Sequence, residues 1–324
     1  MTFSQERILQ KVPMVCFGTE NFKPLFIRFC ADLDERYEVS YHSIDADIKK
    51  SPGGGVDIWV KKINLMLNAI DKYKNNEYFI MADIDIQCFD GFFEEIERSI
   101  KDKDMVFQQE NDFQGVNIGI IACRPNSKVK AFWELIKKRV IDVGRWDQAI
   151  VNDVLFGFSV GRFKDHGLAV GVLDRKLWNW SSGRIDLDVV CHHANCVSDI
   201  ASKWTQMDLV QKIMGISREM PDIFDERTFL GVWDLLILGN KESFKVEFGV
   251  SGSVKRHRHP NEKYWEYSQQ RKALYFLDLR KRVSAAFTHY YYDPHFNRHL
   301  LAGEFLHFGT MEFYKSPQKI ALYK

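Results

Sequence analysis

The chain has 324 residues, 45% of them hydrophobic and 27% charged, with 45 Lys+Arg against 44 Asp+Glu and a formal net charge of +1. That is ordinary globular composition, long enough for one large domain with an appended piece. Near-neutrality removes the global basic excess that usually carries nucleic-acid binding, so no nucleic-acid partner is expected.

In chain order, Pro13–Gly18 reads as a strand ending at a glycine. Phe22–Arg36 has helical spacing, with Phe22, Leu25, Phe26, Phe29 and Leu33 on one face. Tyr37–Ile44 is a second strand, and Val56–Tyr73 a helix with Val60, Ile63, Leu67 and Ile70 inward. Glu77–Asp85 is a strand whose apolar run stops at carboxylates. Phe92–Ile100 reads as a short helix, Asp104–Gln109 and Val116–Cys123 as strands, and Lys128–Ile141 and Asp147–Phe156 as helices. Such alternation predicts an α/β fold with a mainly parallel, Rossmann-like sheet flanked by helices. Val160–Asp188 is turn-rich with brief strands, and Val189–His193 is a strand ending in imidazoles. Beyond Trp204, Leu230–Leu238, Lys245–Val250 and a basic, histidine-rich loop at Lys255–Pro260 lead into a charged helix expected over Glu262–Ala286. An aromatic cluster, Tyr290–Phe296, follows.

Six cysteines (Cys16, Cys30, Cys88, Cys123, Cys191, Cys196) form no CxxC pair. Neither a zinc site nor a disulfide framework is suggested by them, and buried free thiols are expected. The first residues lack the apolar core of a signal peptide, and no run approaches the roughly 18 apolar residues of a membrane span. A soluble, cytoplasmic protein without a transmembrane segment is the expectation.

Asp83-Ile84-Asp85 is the centre of the functional reading. Ligands of open parallel sheets gather at the carboxyl ends of strands. Two aspartates there call for a divalent cation, because buried charges need a partner. Such an ion can bridge two phosphates and act as a Lewis acid on a departing diphosphate. The triplet alone is a short motif, and Asp45-Ala46-Asp47 is a second instance. Haloacid-dehalogenase phosphatases also carry Asp-x-Asp, but at the first strand and with Thr or Val two residues on. Here two strand–helix units come first and Gln87 stands in that place.

Later pieces are more distinctive. Asn117 and Gly119 interrupt an apolar strand, either as a β-bulge with the Asn bonded to backbone or as a place where a ligand or another backbone comes close. Asp147 with Gln148 opens a helix, as a cap or as a pair of hydroxyl binders. Of His192 and His193, adjacent on a strand, one should be a ligand and the other structural. Two Asp and one His suit Mn2+ or Mg2+, with imidazole favouring manganese. Trp178-Asn179-Trp180 is core or a sugar-stacking platform. Lys255–His259 reads as a solvated basic loop, with an anionic acceptor or membrane surface as the alternative. Gly53–Gly55 lacks the ending of a P-loop and could form a lid.

The order of these motifs, Asp83-x-Asp85, Asn117-Ile-Gly119 with Arg124-Pro125, Asp147-Gln148, then His193-Ala-Asn195 with Lys203, resembles the GT-A fold nucleotide-diphospho-sugar transferases. The similarity covers about residues 12–205 and is to the branch with retaining galactosyl- and xylosyltransferases. It implies a glycosyltransferase using a UDP- or GDP-sugar donor and a carbohydrate-type acceptor (glycan, glycoprotein or glycolipid). Asp83, Asp85 and His193 would hold the metal on the diphosphate. Asp147 would bind donor-sugar hydroxyls, Gln148 would sit beside the anomeric carbon, and Asn117 would lie near the sugar in the acceptor cleft. Lys203 and Lys62 would reach phosphate. The loop Phe17-Gly18-Thr19-Glu20-Asn21 would meet base and ribose. Residues 1–205 are then the catalytic domain and 206–324 a helical or mixed extension packed on it and contributing to acceptor binding.

Two departures accompany the likeness. Cys196-Val-Ser-Asp199 follows the His motif where an aromatic or glycine is usual, and the last third matches no family pattern. The competing functions are a metal-dependent nucleotidyl- or phosphotransferase and a non-catalytic nucleotide-sugar-binding module.

Overall fold

The computed structural model describes residues 11–44, 55–110, 115–157, 167–179, 185–197, 199–215, 220, 225–237, 243–257, 259–293, 297–306 and 318–324. The chain divides into two units, Met1–Ser182 with Val190–Asn195, and Gly183–Val189 with Cys196–Lys324.

The first unit contains β1 (Val12–Gly18), α1 (Lys23–Asp32), β2 (Tyr37–Ser43), α2 (Gly55–Lys72), β3 (Phe79–Ala82), β4 (Ile86–Cys88), α3 (Phe92–Ile100), β5 (Met105–Gln109) and β6 (Val116–Cys123). It continues with α4 (Ser127–Val143), α5 (Asp147–Phe156), β7 (Val170–Val172), β8 (Leu177–Asn179) and β9 (Cys191–His193). Six strands form one sheet in the order β2-β1-β3-β6-β5-β7. β1 is parallel to β2 and β3, and β7 to β5, whereas β6 runs against both β3 and β5.

Every residue of β3 and β6 is buried, as expected of strands covered on both faces. The pleat sends alternate residues to opposite layers. Phe79 and Met81 pack with Ile63 and Met66 of α2 and with Trp133 and Ile136 of α4. Ile80 and Ala82 pack with Phe29 of α1 and with Ile96 and Ile100 of α3. The run expected as one strand over Glu77–Asp85 ends at Ala82, and the chain passes to a second sheet of order β4-β9-β8. The two aspartates therefore lie at the junction of two sheets.

The second unit holds α6 (Ile200–Met214), β10 (Gly231–Ile237), β11 (Ser243–Phe248), β12 (Val254–Lys255), β13 (Tyr264–Ser268), β14 (Ala273–Leu277), β15 (Val283–Asp293), β16 (Arg298–Phe305) and β17 (Lys319–Tyr323). Its eight strands run in the order β12-β11-β10-β17-β16-β15-β14-β13. The two ends meet: Val254 N–H donates to the Lys263 carbonyl at 2.9 Å and Trp265 N–H to the Gly252 carbonyl at 2.7 Å. Through this one bridge, Ser253 with Tyr264, the curled sheet closes as a barrel. Phe229, Trp233, Phe248, Phe276 and Phe287 share one core there.

The charged helix expected over Glu262–Ala286 is instead β13, β14 and the start of β15. Trp265 and Tyr267 are buried on either side of exposed Glu266, a period of two. The charges that suggested a helical face belong to turns, where Lys272 and Lys281 have φ of 50° and 62°. Asp278 ties the second turn by accepting from the N–H groups of Arg280 at 2.8 Å and Arg282 at 3.0 Å. All six thiols are free, but Cys30 and Cys196 are exposed rather than buried. Asp45–Asp47, Gly53–Gly54, Trp180, Arg258, Pro294–Phe296 and parts of the turn-rich Val160–Asp188 stretch (160–166 and 180–184) lie outside the described residues. Among the described residues no helix is long and apolar enough to cross a membrane.

Candidate active site

The site is assembled at the carboxyl end of β3 by a distortion in β6. Phe107 of β5 faces Ile121, but its neighbour Gln108 already faces Asn117, so Ile118–Ile120 bulge out of register. The bulge also swaps faces: Val116 and Ile118 share a layer with Ile121 and Cys123, while Ile120 and Ala122 join the other. Asn117 Oδ1 accepts from Gly119 N–H at 2.7 Å. The carbonyl of Gly119 accepts from Asp83 N–H at 2.8 Å. A Cβ on Gly119 would stand 2.3 Å from Cε1 of His193. The bulge reading of this strand holds, with Asn117 bonded to backbone, and what approaches the glycine is a side chain, the His193 ring, rather than another backbone.

His193 comes from β9, where it pairs with Ile86 of β4 immediately after Asp85. Its Nε2 lies 3.4 Å from Asp85 Oδ1 and 3.9 Å from Asp83 Oδ2. Its Nδ1 is 3.1 Å from Gln108 Oε1. Gln108 fixes the proton: its amide nitrogen donates to the carbonyls of Leu177 at 2.9 Å and Trp178 at 3.4 Å, so the oxygen must face the ring. Nδ1 then carries a hydrogen, and Nε2 is the ring atom that faces the two carboxylates. A divalent cation placed among Nε2 and the two carboxylates would satisfy all three groups at once. One donor atom each from Asp83, Asp85 and His193 falls within 4.8 Å of the others. Two oxygens, one imidazole nitrogen and a glutamine orienting the imidazole fit Mn2+, and Mg2+ less well. His192 is fully buried elsewhere, with Nδ1 2.6 Å from Gln87 Oε1 and its ring 5.2 Å from that of Trp178. Trp178 is likewise fully buried, in core packing.

Lys62, buried on α2, donates to Asp83 Oδ1 at 2.9 Å and to the Ile118 carbonyl at 3.2 Å. Its burial favours loss of the proton, but Asp83, Asp147 and Asp85 outweigh that and hold the ammonium above its usual range. Asp147, at the start of α5, has its carboxyl pushed up by burial, with Lys62 only partly opposing. Gln148 Oε1 accepts from Ile118 N–H at 3.3 Å, and its amide donates to Glu110 Oε2 at 3.1 Å. Asn117 donates to the same Glu110 oxygen at 2.6 Å.

Phe17 and Gly18 end β1 beside this cluster. Lys62 Nζ is 5.0 Å from the Phe17 ring centre, and a Cβ on Gly18 would be 2.6 Å from Ile84. The Thr19 carbonyl accepts from Tyr41 OH at 3.0 Å, whereas Asn21 is exposed. The first unit thus brings together Phe17, Gly18, Lys62, Asp83, Asp85, Asn117, Asp147, Gln148 and His193. Lys203 is buried on α6 of the second unit. Sequence reasoning missed Gln108 and Glu110. The signal was present, since Gln108-Gln109-Glu110 ends an apolar strand in polar residues just as Asp83–Asp85 does.

Residues 54–207 match the model of the nucleotide-diphospho-sugar transferase family. The resemblance carried by the motifs is thus met in that segment, and the first unit has the expected α/β architecture, a parallel-rich sheet flanked by helices. No curated protein matches the sequence. Among solved structures, the chain is similar to a glycosyltransferase involved in glycosylation of the major capsid of PBCV-1, at 12% identity and TM-score 0.44 over 61% of this chain and 98% of that one. It is similar to the galactosyltransferase LgtC, solved with donor and acceptor sugar analogues, at 13% identity and TM-score 0.39 over 64% of this chain and 98% of that one. Mouse xyloside xylosyltransferase 1 matches at 11% identity and TM-score 0.33, over 59% of this chain and 90% of that one.

Proposed function

We propose, from a segment that matches the nucleotide-diphospho-sugar transferases, that this chain moves a glycosyl group from a UDP- or GDP-sugar to a hydroxyl of a carbohydrate-type acceptor, with a divalent metal at Asp83, Asp85 and His193. The observation that carries this reading is the convergence of His193 Nε2 on carboxylate oxygens of Asp85 and Asp83 3.4 and 3.9 Å away, one donor atom of each residue lying within 4.8 Å of the others. Bound there, Mn2+ or Mg2+ would relieve charge on the departing diphosphate.

The remaining work falls to side chains. Lys62 is the cation already facing Asp83 and is assigned to the diphosphate. The loop Phe17–Asn21 is assigned to base and ribose. Asp147 accepts hydrogen bonds from donor-sugar hydroxyls. Gln148, held by Ile118 N–H and Glu110, has a fixed amide and is assigned beside the anomeric carbon, with retention of configuration. Asn117 faces the acceptor side. Glu110 orients both amides and is the carboxylate that sets the polarity of that side. Preorganised groups of this kind stabilise developing charge without reorganising.

A thermal-shift panel of nucleotide sugars with Mn2+ tests binding, since a ligand of the folded state raises Tm. Nucleoside diphosphate release with varied acceptors then tests transfer. Metal-dependent stabilisation and release, both lost in Asp85→Ala, are expected. In Gln148→Ala turnover should fall more than donor affinity. Turnover of nucleoside triphosphates instead would favour a phosphotransferase. Donor binding without release across acceptors would mean a binding module.

A further inference from the structure

The loop that closes the barrel carries a second cluster of metal-ligating side chains. His257, His259 and Glu262 lie between β12 and β13, with one donor atom of each within 4.8 Å of the others. Glu262 Oε2 is 3.2 Å from His257 Nε2 and 2.5 Å from His259 Nδ1. The glutamate side chain is 2% exposed, that of His257 14% and that of His259 45%. The carboxylate is therefore withdrawn from water, while the cluster opens to solvent on the side of His259. Arg256, next in the loop, is engaged elsewhere, 2.8 Å from Glu247.

We propose that His257, His259 and Glu262 bind a divalent transition metal, with zinc the favoured ion. Two imidazoles and one carboxylate are a borderline donor set that suits zinc; calcium and magnesium require mostly oxygen. Ligands about 2.0–2.2 Å from a tetrahedral zinc stand roughly 3.3 Å apart, which the His257–Glu262 spacing meets. The exposed His259 ring has only to withdraw by ~1 Å to join them. Three protein ligands leave a fourth position for water on the open side. The location gives the ion a structural consequence. His257 follows Val254, and Glu262 precedes Lys263, and those two residues make one of the hydrogen bonds across the barrel seam, 2.9 Å long. An ion shared by the loop therefore ties both sides of the seam and stabilises the folded barrel. This inference uses residues of the second unit alone and stands apart from the sugar-transfer reading.

The test uses the full chain carrying Asp85→Ala, which takes one ligand from the Asp83–Asp85–His193 cluster of the first unit, after stripping with a chelator. Dialysis against Zn2+ with elemental analysis should give about one zinc per chain, with a zinc-dependent rise in Tm; three-ligand zinc sites are the precedent for that stoichiometry. His259→Ala removes the most exposed ligand and should leave the metal-free Tm unchanged. It should lower zinc affinity by at least roughly tenfold and abolish the rise. Unchanged zinc binding in folded His259→Ala, or no zinc bound by the parent, overturns the proposal in favour of a carboxylate held by two imidazole hydrogen bonds. Cobalt substitution in the parent reads the site without that variant: the intense visible bands of tetrahedral coordination support it, and their absence with Co2+ bound overturns it.

Discussion

Gly119→Ala perturbs the metal cluster without replacing a charged residue or a proposed ligand. The new Cβ would stand 2.3 Å from Cε1 and 2.5 Å from Nδ1 of His193, and 2.8 Å from Asn117 Oδ1. Carbon atoms in contact rest about 3.5–4.0 Å apart, so the ring must withdraw by more than ~1 Å. Little can yield, because Nδ1 is tied to Gln108 at 3.1 Å and β9 is paired on both sides. Overpacking in such a place costs about 1–3 kcal/mol. Metal ligands, by contrast, keep to within about 0.2 Å of their proper distances. The variant should therefore fold with a modestly lower Tm yet lose at least roughly tenfold in Mn2+ affinity, the scale seen when a ligand's support is disturbed. Electron paramagnetic resonance of free Mn2+ measures the affinity, and thermal denaturation in chelator measures the fold. A folded Gly119→Ala protein that binds Mn2+ like the parent would show that the ring position does not govern the ion, and the ligand assignment of His193 would fall.

Other expectations concern the groups around the cluster. Gln108→Leu removes the acceptor of His193 Nδ1 and the donor to the Leu177 and Trp178 carbonyls. It should lower Mn2+ affinity about 10–100-fold and cost about 1–3 kcal/mol in denaturant unfolding; unchanged metal affinity would count against the proton assignment. Lys62→Met should have opposite effects on two ligands, tightening Mn2+ while weakening the nucleotide sugar, and parallel changes by calorimetry would contradict its role toward phosphate. Asp147→Asn tests linkage in the metal-free protein. A carboxyl raised by burial stabilises the fold fully below its unfolded pKa of about 3.9 and loses that contribution as pH rises through the folded value. The uncharged variant should thus gain Tm over the parent with rising pH above about 4, with donor turnover lost, and a constant difference across pH would refute the burial account.

Much of the first unit was legible because its signals are local. Phe92–Ile100 and Asp147–Phe156 form helices on the residues that periodicity predicts, and Val116–Cys123 a strand on the predicted residues. An apolar run stopping at Asp83-Ile-Asp85 marks a strand end whatever packs around it. The last third went otherwise: Glu262–Ala286 has enough charge to look like a solvated helix, whereas consecutive antiparallel pairing of β13, β14 and β15 and burial of their alternate residues in a shared core make it strands.

The chain's order of residues determined by itself which chemical groups are present and which strand ends carry them: two carboxylates, an imidazole and amides. The family resemblance of the motifs singled out His193 of the two histidines, but tertiary structure alone decided that Gln108 orients its ring and that Gly119 gives that ring room. The physical reason is that these contacts join residues from β5, β6 and β9, whose pairing depends on a bulge and on two sheets meeting. Such long-range steric and hydrogen-bond constraints leave no periodic trace in the sequence.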